Sequence, residues 1–338
     1  MPIRRRFLSI VATCAALAPL SVARAAAASQ VSVWRGTALG ALATMTLVHP
    51  DRATARAQLE ECVREVQRLE AIFSLYRADS AISRLNNAGE LREPPQELVE
   101  LLSFGLALSQ RSAGAFDPTV QPLYRLYATH FATPGAAPGG PPAPAIARVL
   151  RLVDGEAIDL RPDLIRLRRP GMAITLNGVA QGFITDRVAD MLRAGGFTDV
   201  LVDLGEARAL GQRPGGGSWR AGIADPRQPA RTILELPLGS DRGALPALAT
   251  SAGHGTRFGP DPRVHHLLDP HTGRSANHYL SVSVAAARAT LADGLSTTLA
   301  IMSPARAAAM LRNYPSTRAY LVDASGQLTE QDTARVMT

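Results

Sequence analysis

A carboxylate and a hydroxyl lie four residues apart near the carboxyl end of the sequence, at Asp293 and Thr297. This spacing is close to one turn of an α-helix, so both side chains would project from the same helix face. Hard oxygen donors without a histidine or a thiolate favour Mg²⁺ over Zn²⁺, and they leave coordination positions open for phosphate oxygens. An aspartate that caps the helix, followed by a threonine that only packs, explains the same pair without a metal.

The run from Ile174 to Asp186 predicts a site for an anion. A β-rich stretch, 173–176, ends at Asn177-Gly178, and a helical pattern then continues through Arg193. The first backbone amides of a helix have no partner within the helix, so they can face a phosphate without any basic side chain.

A histidine pair offers a possible base. Five histidines lie between His254 and His278, but their spacing matches no zinc signature. His265 and His266 lie in a strand-like segment, so they would face opposite sides and at most one could face a site. A histidine beside a phosphate can accept the proton of an attacking hydroxyl near neutral pH. A histidine that only stabilises the turn at 269–273 remains an equal alternative.

Two further segments suit a planar ligand. Small residues at 112–115 precede Phe116 and Asp117, and Tyr76 follows the end of a predicted helix. An Asp-Pro turn and ordinary core packing of the tyrosine are the competing interpretations.

The elements that must position these residues follow one another in a mixed order, which predicts an α+β fold with mixed or antiparallel sheets and packed helices. A segment rich in proline and glycine, 133–144, is predicted as a surface loop. The strand-like runs are 37–48, 157–160, 164–167, 173–176, 199–204, 219–223, 232–236, 280–286 and 319–322. The main helical runs are 54–72, 96–111, 118–127, 178–193, 291–302 and 304–313.

The amino terminus has the features of an export signal. Three arginines at 4–6 precede an apolar run, 10–22, and Ala23-Arg24-Ala25 offers a cleavage site. We therefore predict a twin-arginine signal peptide over residues 1–25, a mature domain over residues 26–338 and a periplasmic location. No apolar run of spanning length follows, so no stable membrane span is expected in the mature protein.

Composition excludes several classes of function. The first 25 residues carry four arginines and no acid, so the formal net charge of +7 becomes +3 in the mature chain, which argues against nucleic-acid binding. All 36 basic residues are arginine, which excludes a lysine Schiff base and a Walker-type loop. Only Cys62 remains after residue 25, so neither an internal disulfide nor a cysteine metal site is expected.

Taken together and in order, these segments resemble the bacterial FAD:protein FMN transferases, the ApbE-type flavin transferases. The similarity extends over nearly the whole mature chain. The residues that carry it are 38–40, 73–76, 79–80, 83–86, 114–119, 176–186, 202–205, 249–253, 266–273 and 292–297.

The resemblance implies a Mg²⁺-dependent reaction in which the FMN half of FAD moves to a threonine or serine hydroxyl of an acceptor protein and AMP leaves. It implies that Asp293 and Thr297 bind the metal through side-chain oxygens and Gly178 through its carbonyl, and that His266 is the base. The positions at which the family holds FAD are Leu39, Tyr76, Ala115, Phe116, Asp117, Thr175, Gln181 and Leu268.

The sequence departs from the family pattern at three of the positions near the ligand. Thr175 stands where an acidic residue is common, Gln181 where lysine or glutamate is frequent, and Glu206 follows Gly205 where a second glycine is usual. The Leu-Asn-Gly and Gln-Gly sequences are similar to those of family members that serve the nitrous oxide reductase system. This similarity implies that the acceptor is the membrane-bound flavoprotein of that system. An FAD pyrophosphatase that releases FMN and AMP, and a flavin carrier without turnover, remain open.

Overall fold

The computed structural model describes residues 30–239, 241 and 243–333, and the predicted signal peptide lies outside them. The strands are β1 (Gln30–Ala38), β2 (Ala41–His49), β3 (Glu90–Arg92), β4 (Ile158–Arg161), β5 (Leu164–Leu167), β6 (Asp199–Asp203), β7 (Ala207–Leu210), β8 (Trp219–Ala224), β9 (Thr232–Leu238), β10 (Ala247–Ala252), β11 (Tyr279–Ala286), β12 (Arg318–Asp323) and β13 (Leu328–Asp332). The helices are α1 (Arg52–Phe73), α2 (Ala81–Ala88), α3 (Gln96–Arg111), α4 (Gln121–Ala132), α5 (Ala143–Leu150), α6 (Ala180–Ala194), α7 (Ala289–Ile301) and α8 (Pro304–Leu311).

An eight-stranded antiparallel sheet organises the chain, in the order β1-β2-β6-β7-β10-β11-β12-β13. Successive side chains of a strand point to opposite faces, and β6 shows the result. Val200 and Val202 join the main core with helices α1, α6 and α7, whereas Leu201 joins a second core beneath the β8–β9 hairpin. The α+β prediction is confirmed, and both faces of the sheet are covered.

A third apolar cluster fixes the loop between β10 and β11. Leu123 and Tyr127 of α4 pack with Ile146 of α5 and with Leu268 of the loop. The Tyr127 hydroxyl donates a hydrogen bond to the carbonyl of Gly273, at 3.0 Å. The loop that carries the histidine pair is therefore held against two helices rather than projecting into solvent.

The first strand-like run, predicted as one segment from 37 to 48, contains the end of β1, a tight turn and most of β2. Leu39 and Gly40 both have positive φ, 47° and 79°, which is the backbone that a two-residue hairpin requires. The amide of Leu39 donates to Glu70 of α1, at 2.5 Å, so the turn is fixed to that helix. A leucine gives no sequence cue for this conformation, because bulky residues seldom adopt positive φ.

The predicted strand 173–176 belongs to no sheet. Instead, the Asn86 side chain replaces a neighbouring strand: its amide nitrogen donates to the carbonyl of Ile174 at 2.8 Å, and its oxygen accepts from the amide of Ile174 at 2.6 Å. The Thr175 amide donates to the carbonyl of Pro118. A buried backbone must find hydrogen-bond partners, and here a side chain and a turn supply them.

Two other predictions need smaller corrections. The loop predicted over 133–144 ends at residue 142, and residues 143 and 144 begin α5, where Pro144 falls in the first turn and costs no hydrogen bond. The polar strand β13 pairs with β12 where only a turn and a tail were expected. None of the described helices combines the length and apolar character that crossing a bilayer requires.

Close packing of α6 on α7 gives a testable asymmetry between two helical glycines. A Cβ atom at Gly182 would lie 2.4 Å from the carbonyl oxygen of Ala289, whereas one at Gly105 of α3 would meet only side-chain carbons at 3.5 Å or more. We expect Gly182→Ala to lower the free energy of unfolding by about 2 kcal/mol or more, because the helices must separate. Gly105→Ala should raise it by up to about 1 kcal/mol. Denaturant titration measures both, and equal effects would contradict this account.

Candidate active site

The candidate site lies where β10 ends beside the first turns of α6 and the middle of α7. A cavity opens there between the loop that follows β10 and the turn before α4. Its walls include Thr250 and Ser251 of β10, Asp293 and Thr297 of α7, and Gln181 of α6. The residues that the sequence placed in separate motifs therefore meet in one place.

Asp293 and Thr297 lie on the same face of α7, as their spacing predicted. Thr297 Oγ1 is 3.1 Å from the hydroxyl of Ser251, and a Cβ atom at Gly178 would lie 3.0 Å from Thr297 Oγ1. The backbone at Gly178 therefore lies close to the threonine side chain. The carboxylate of Asp293 and the hydroxyl of Thr297, beside the backbone of Gly178, are oxygen donors of the kind that suits a hard cation.

The helix-cap alternative for Asp293 is wrong for its own helix. Asp293 lies in the second turn of α7, and its Oδ2 accepts a hydrogen bond from the amide of Gly182 in the first turn of α6, at 3.0 Å. The reciprocal group is Asp186 of α6, whose carboxylate accepts from the amides of Ala289 and Thr290 at the start of α7, each at 2.9 Å. The two helices therefore exchange capping carboxylates, which fixes Asp293 relative to the turn at 177–182.

Only part of the predicted anion-binding turn has free amides. The amide of Asn177 donates to Thr175 Oγ1, those of Val179 and Ala180 to the carbonyl of Leu176, and that of Gly182 to Asp293. Most of the helix start is thus occupied by protein acceptors. A phosphate in this cavity would depend more on a cation than on the helix N-terminus.

The side chains of His265 and His266 lie in different surroundings, as predicted, although their segment forms only isolated β-bridges and not a strand. His265 is buried against Gly253. Burial lowers the pKa of His265 to about 4, so this ring is neutral at physiological pH. His266 lines the cavity, and its Nδ1 is 3.1 Å from the carbonyl oxygen of Thr256. A carbonyl can only accept, so Nδ1 carries the proton and Nε2 is the basic nitrogen.

All eight predicted flavin-binding residues line this cavity or an adjoining one. Ala115, Phe116, Asp117, Thr175, Gln181 and Leu268 line the first, and Leu39, Tyr76 and Gln181 line the second. His266 and Asn177 lie on the walls of both. Tyr76 is 63% exposed, so the core-packing alternative for this residue is wrong.

Three acidic side chains, Asp117, Glu206 and Asp293, line the cavity. Burial raises the pKa of Asp293 to about 7, and repulsion from Asp186 adds to the increase while the Gly182 amide opposes it. Burial and then repulsion from Asp293 raise the pKa of Glu206 well above its usual value. Burial also raises the pKa of Asp117. These shifts mean that the cavity favours either protonated acids or a bound cation.

The sequence identified Glu206 only as a departure from the family pattern, and it did not identify Asn86 or Ser251, which also shape the site. Asn86 positions the segment before the turn, Ser251 contacts Thr297, and Glu206 contributes a carboxylate to the cavity wall. Each lies within or beside a segment that carried the family resemblance, but none showed a spacing that reveals its role. An acidic residue directly after a strand-ending Asp-Leu-Gly was the one available signal for Glu206.

Comparison with known proteins agrees with this geometry. The ApbE family model matches residues 39–321, which is most of the chain. The chain belongs to the ApbE family. A curated FAD:protein FMN transferase of Treponema pallidum (strain Nichols) is 30% identical over 294 residues, which cover 80% of this chain and 78% of that protein.

Solved ApbE structures share the fold of this family member. The flavin transferase ApbE from Vibrio cholerae superposes with a TM-score of 0.76 at 25% identity, covering 90% of this chain and 97% of that chain. The ApbE protein from Thermotoga maritima gives a TM-score of 0.77 at 26% identity, covering 91% and 99%. The prediction of an ApbE-type chain is thereby confirmed.

Proposed function

We propose that this protein is a Mg²⁺-dependent FAD:protein FMN transferase, which moves the FMN half of FAD to a threonine or serine hydroxyl of an acceptor protein. One observation carries the proposal. His266 lies on the wall shared by two adjoining cavities, one containing Asp293 and Thr297 and the other bordered by Leu39 and Tyr76. A base placed between a cation site and a second opening can serve a hydroxyl that arrives from outside.

The residues present fit Mg²⁺. Among the described residues no cluster of three or more His, Cys, Asp or Glu side chains is suited to a metal, so a cation must also use hydroxyl and carbonyl oxygens. Asp293, Thr297 and the Gly178 carbonyl would hold it. When bound, Mg²⁺ would neutralise charge on the FAD phosphates as the phosphorus–oxygen bond breaks.

His266 would act as the base in this reaction. Its Nδ1–H donates to the Thr256 carbonyl, so the ring is fixed with Nε2 able to accept the proton of the acceptor hydroxyl. The hydroxyl oxygen would then form a bond to the phosphorus of the FMN half. The bond from that phosphorus to the bridging oxygen breaks, and AMP leaves with this oxygen.

The proposed setting is the periplasm, reached by the twin-arginine route. It rests on the arginine cluster, apolar run and Ala-Arg-Ala site of residues 1–25. The membrane-bound flavoprotein of the nitrous oxide reductase system is the proposed acceptor. It rests on the Leu176–Gly178 and Gln181-Gly182 residue choices alone.

Intact-mass spectrometry tests the activity. The mature protein is incubated with FAD, Mg²⁺ and an acceptor domain that contains the target threonine, beside the acceptor with that threonine replaced by valine. We expect the mass of one FMN on the first acceptor only, with AMP in solution. Free FMN and AMP without an adduct would replace the proposal with FAD hydrolysis, and intact FAD retained by the protein would replace it with a carrier.

Replacing the proposed base gives a second expected outcome. His266→Gln should lower the rate of transfer by about 10²- to 10⁴-fold, because proton removal from the acceptor hydroxyl is lost. FAD affinity, measured by quenching of flavin fluorescence, should change less than about threefold, since the base acts on the acceptor. His265→Gln tests the neighbouring ring, and a larger rate loss there than at His266 would contradict the assignment.

A further inference from the structure

Glu206 places a second carboxylate in the wall of the cavity that contains Asp293. It follows the end of β6 and is only 5% exposed, yet it borders the cavity rather than the apolar core. Its Oε2 accepts a hydrogen bond from the amide of Thr250, at 3.1 Å. Its backbone carbonyl accepts from Leu204 N and from Thr185 Oγ1, so the residue is held at three points.

The two carboxylates have parallel surroundings. Asp293 is 4% exposed, and one of its oxygens accepts from the amide of Gly182. Glu206 likewise has one oxygen on a backbone amide. Among the described residues no arginine or histidine forms an ion pair with either acid, although the nearby Asp186 pairs with both Arg208 and Arg288. The fold thus neutralises Asp186 and leaves Asp293 and Glu206 facing one cavity without a basic partner.

Such an arrangement destabilises the charged forms of both acids unless a cation binds beside them. Two buried acids repel each other and lose their hydration, and a positive ion between or beside them removes both costs. The phosphates that the proposed reaction brings into the cavity add further negative charge. A carboxylate on this wall therefore favours binding of cation together with phosphate and opposes binding of phosphate alone.

We propose that Glu206 is a second acidic residue of the cation site, acting together with Asp293 to bind the divalent cation before FAD arrives. This inference rests on the proposed function, since it assigns a further residue to the same metal site. The site of this chain then carries two negative side chains rather than one. It binds cation in the absence of nucleotide and accepts the FAD phosphates only after the cation has neutralised it.

Metal binding in the absence of FAD tests the role of Glu206 directly. Mn²⁺, which has an electron paramagnetic resonance signal and ligand preferences like those of Mg²⁺, is titrated into the metal-free protein and into Glu206→Gln. Glutamine keeps the hydrogen bond from Thr250 and removes only the charge. We expect the dissociation constant for Mn²⁺ to rise at least tenfold. Glu156→Gln, which removes an exposed acid beside the neighbouring cavity, should leave it within twofold of the parent.

Two further variants separate this inference from the proposed function. Glu206→Asp keeps the charge with a shorter side chain and should restore part of the lost affinity, which shows that a folding defect is not the cause. Asp293→Asn should also weaken Mn²⁺ binding at least tenfold. Parent-like binding by Glu206→Gln together with loss in Asp293→Asn would overturn the role of Glu206 alone. Parent-like binding by Asp293→Asn would overturn the metal site of the proposed function.

Discussion

Asp293→Asn should lower kcat/KM for FMN transfer by about 10³-fold or more, because it removes the one carboxylate of the α7 donor set. The asparagine oxygen can still accept the hydrogen bond from Gly182, so the contact between α6 and α7 should survive. The measurement is the initial rate of acceptor labelling, followed by intact mass at several FAD concentrations. A thermal melt beside the parent protein shows whether the variant is folded.

Metal removal is the matched chemical control for this variant. Chelation with EDTA should reduce the parent protein to the activity of Asp293→Asn and should change that variant no further. Restoring excess Mg²⁺ should recover the parent alone. Retention of more than a tenth of the parent activity by Asp293→Asn would show that Asp293 does not carry the reaction.

Asp186→Ala should have the largest effect on stability. Its buried carboxylate caps α7 through two amides and the Thr290 hydroxyl, and it pairs with the buried Arg208 at 2.7 Å. Removal of this carboxylate leaves those donors without an acceptor and leaves the charge of Arg208 less well neutralised. The free energy of unfolding should therefore fall by about 3–5 kcal/mol. Denaturation by guanidinium chloride measures the free energy of unfolding.

Asp190→Ala is the comparison for Asp186→Ala. Asp190 pairs with Arg193, Arg208 and Arg288 from the same region, but it is partly exposed and caps no helix. Loss of the Asp190 carboxylate should lower the free energy of unfolding by about 1 kcal/mol or less. If the two variants unfold at the same denaturant concentration, the exchange of capping carboxylates between α6 and α7 is not what stabilises this contact.

Several elements that local sequence patterns set lie where the sequence predicted them. The helix α3 and the strand β5 lie at the predicted residues. Apolar residues at helical spacing set α3, and β5 is a short apolar run interrupted only by the exposed Arg166. The same reasoning placed Asp293 and Thr297 on one face of a helix, and the structure confirms it. Family resemblance, and not periodicity, brought the flavin-binding candidates together.

Features that depend on tertiary contacts could not be predicted from the sequence. Nothing in an Ala-Leu-Gly-Ala run marks the sharp turn at Leu39, since the contact that fixes it comes from Glu70 on another element. Residues 173–176 have the composition of a strand, but their partner is a side chain from α2. Glu206 gives no sign of its burial, because only the closure of β6, β7 and β10 places it in a cavity wall.

The hydrogen bonds that assemble the site join distant parts of the chain. Asn86 and Ile174 are 88 residues apart, Asp186 and Ala289 are 103 apart, and Gly182 and Asp293 are 111 apart. Contacts between residues so far apart form late, because the loops they close carry a large entropic cost. A partly folded chain therefore lacks this binding site. A ligand of this cavity can slow the unfolding of the native protein, but it cannot bind the chain before these contacts have formed.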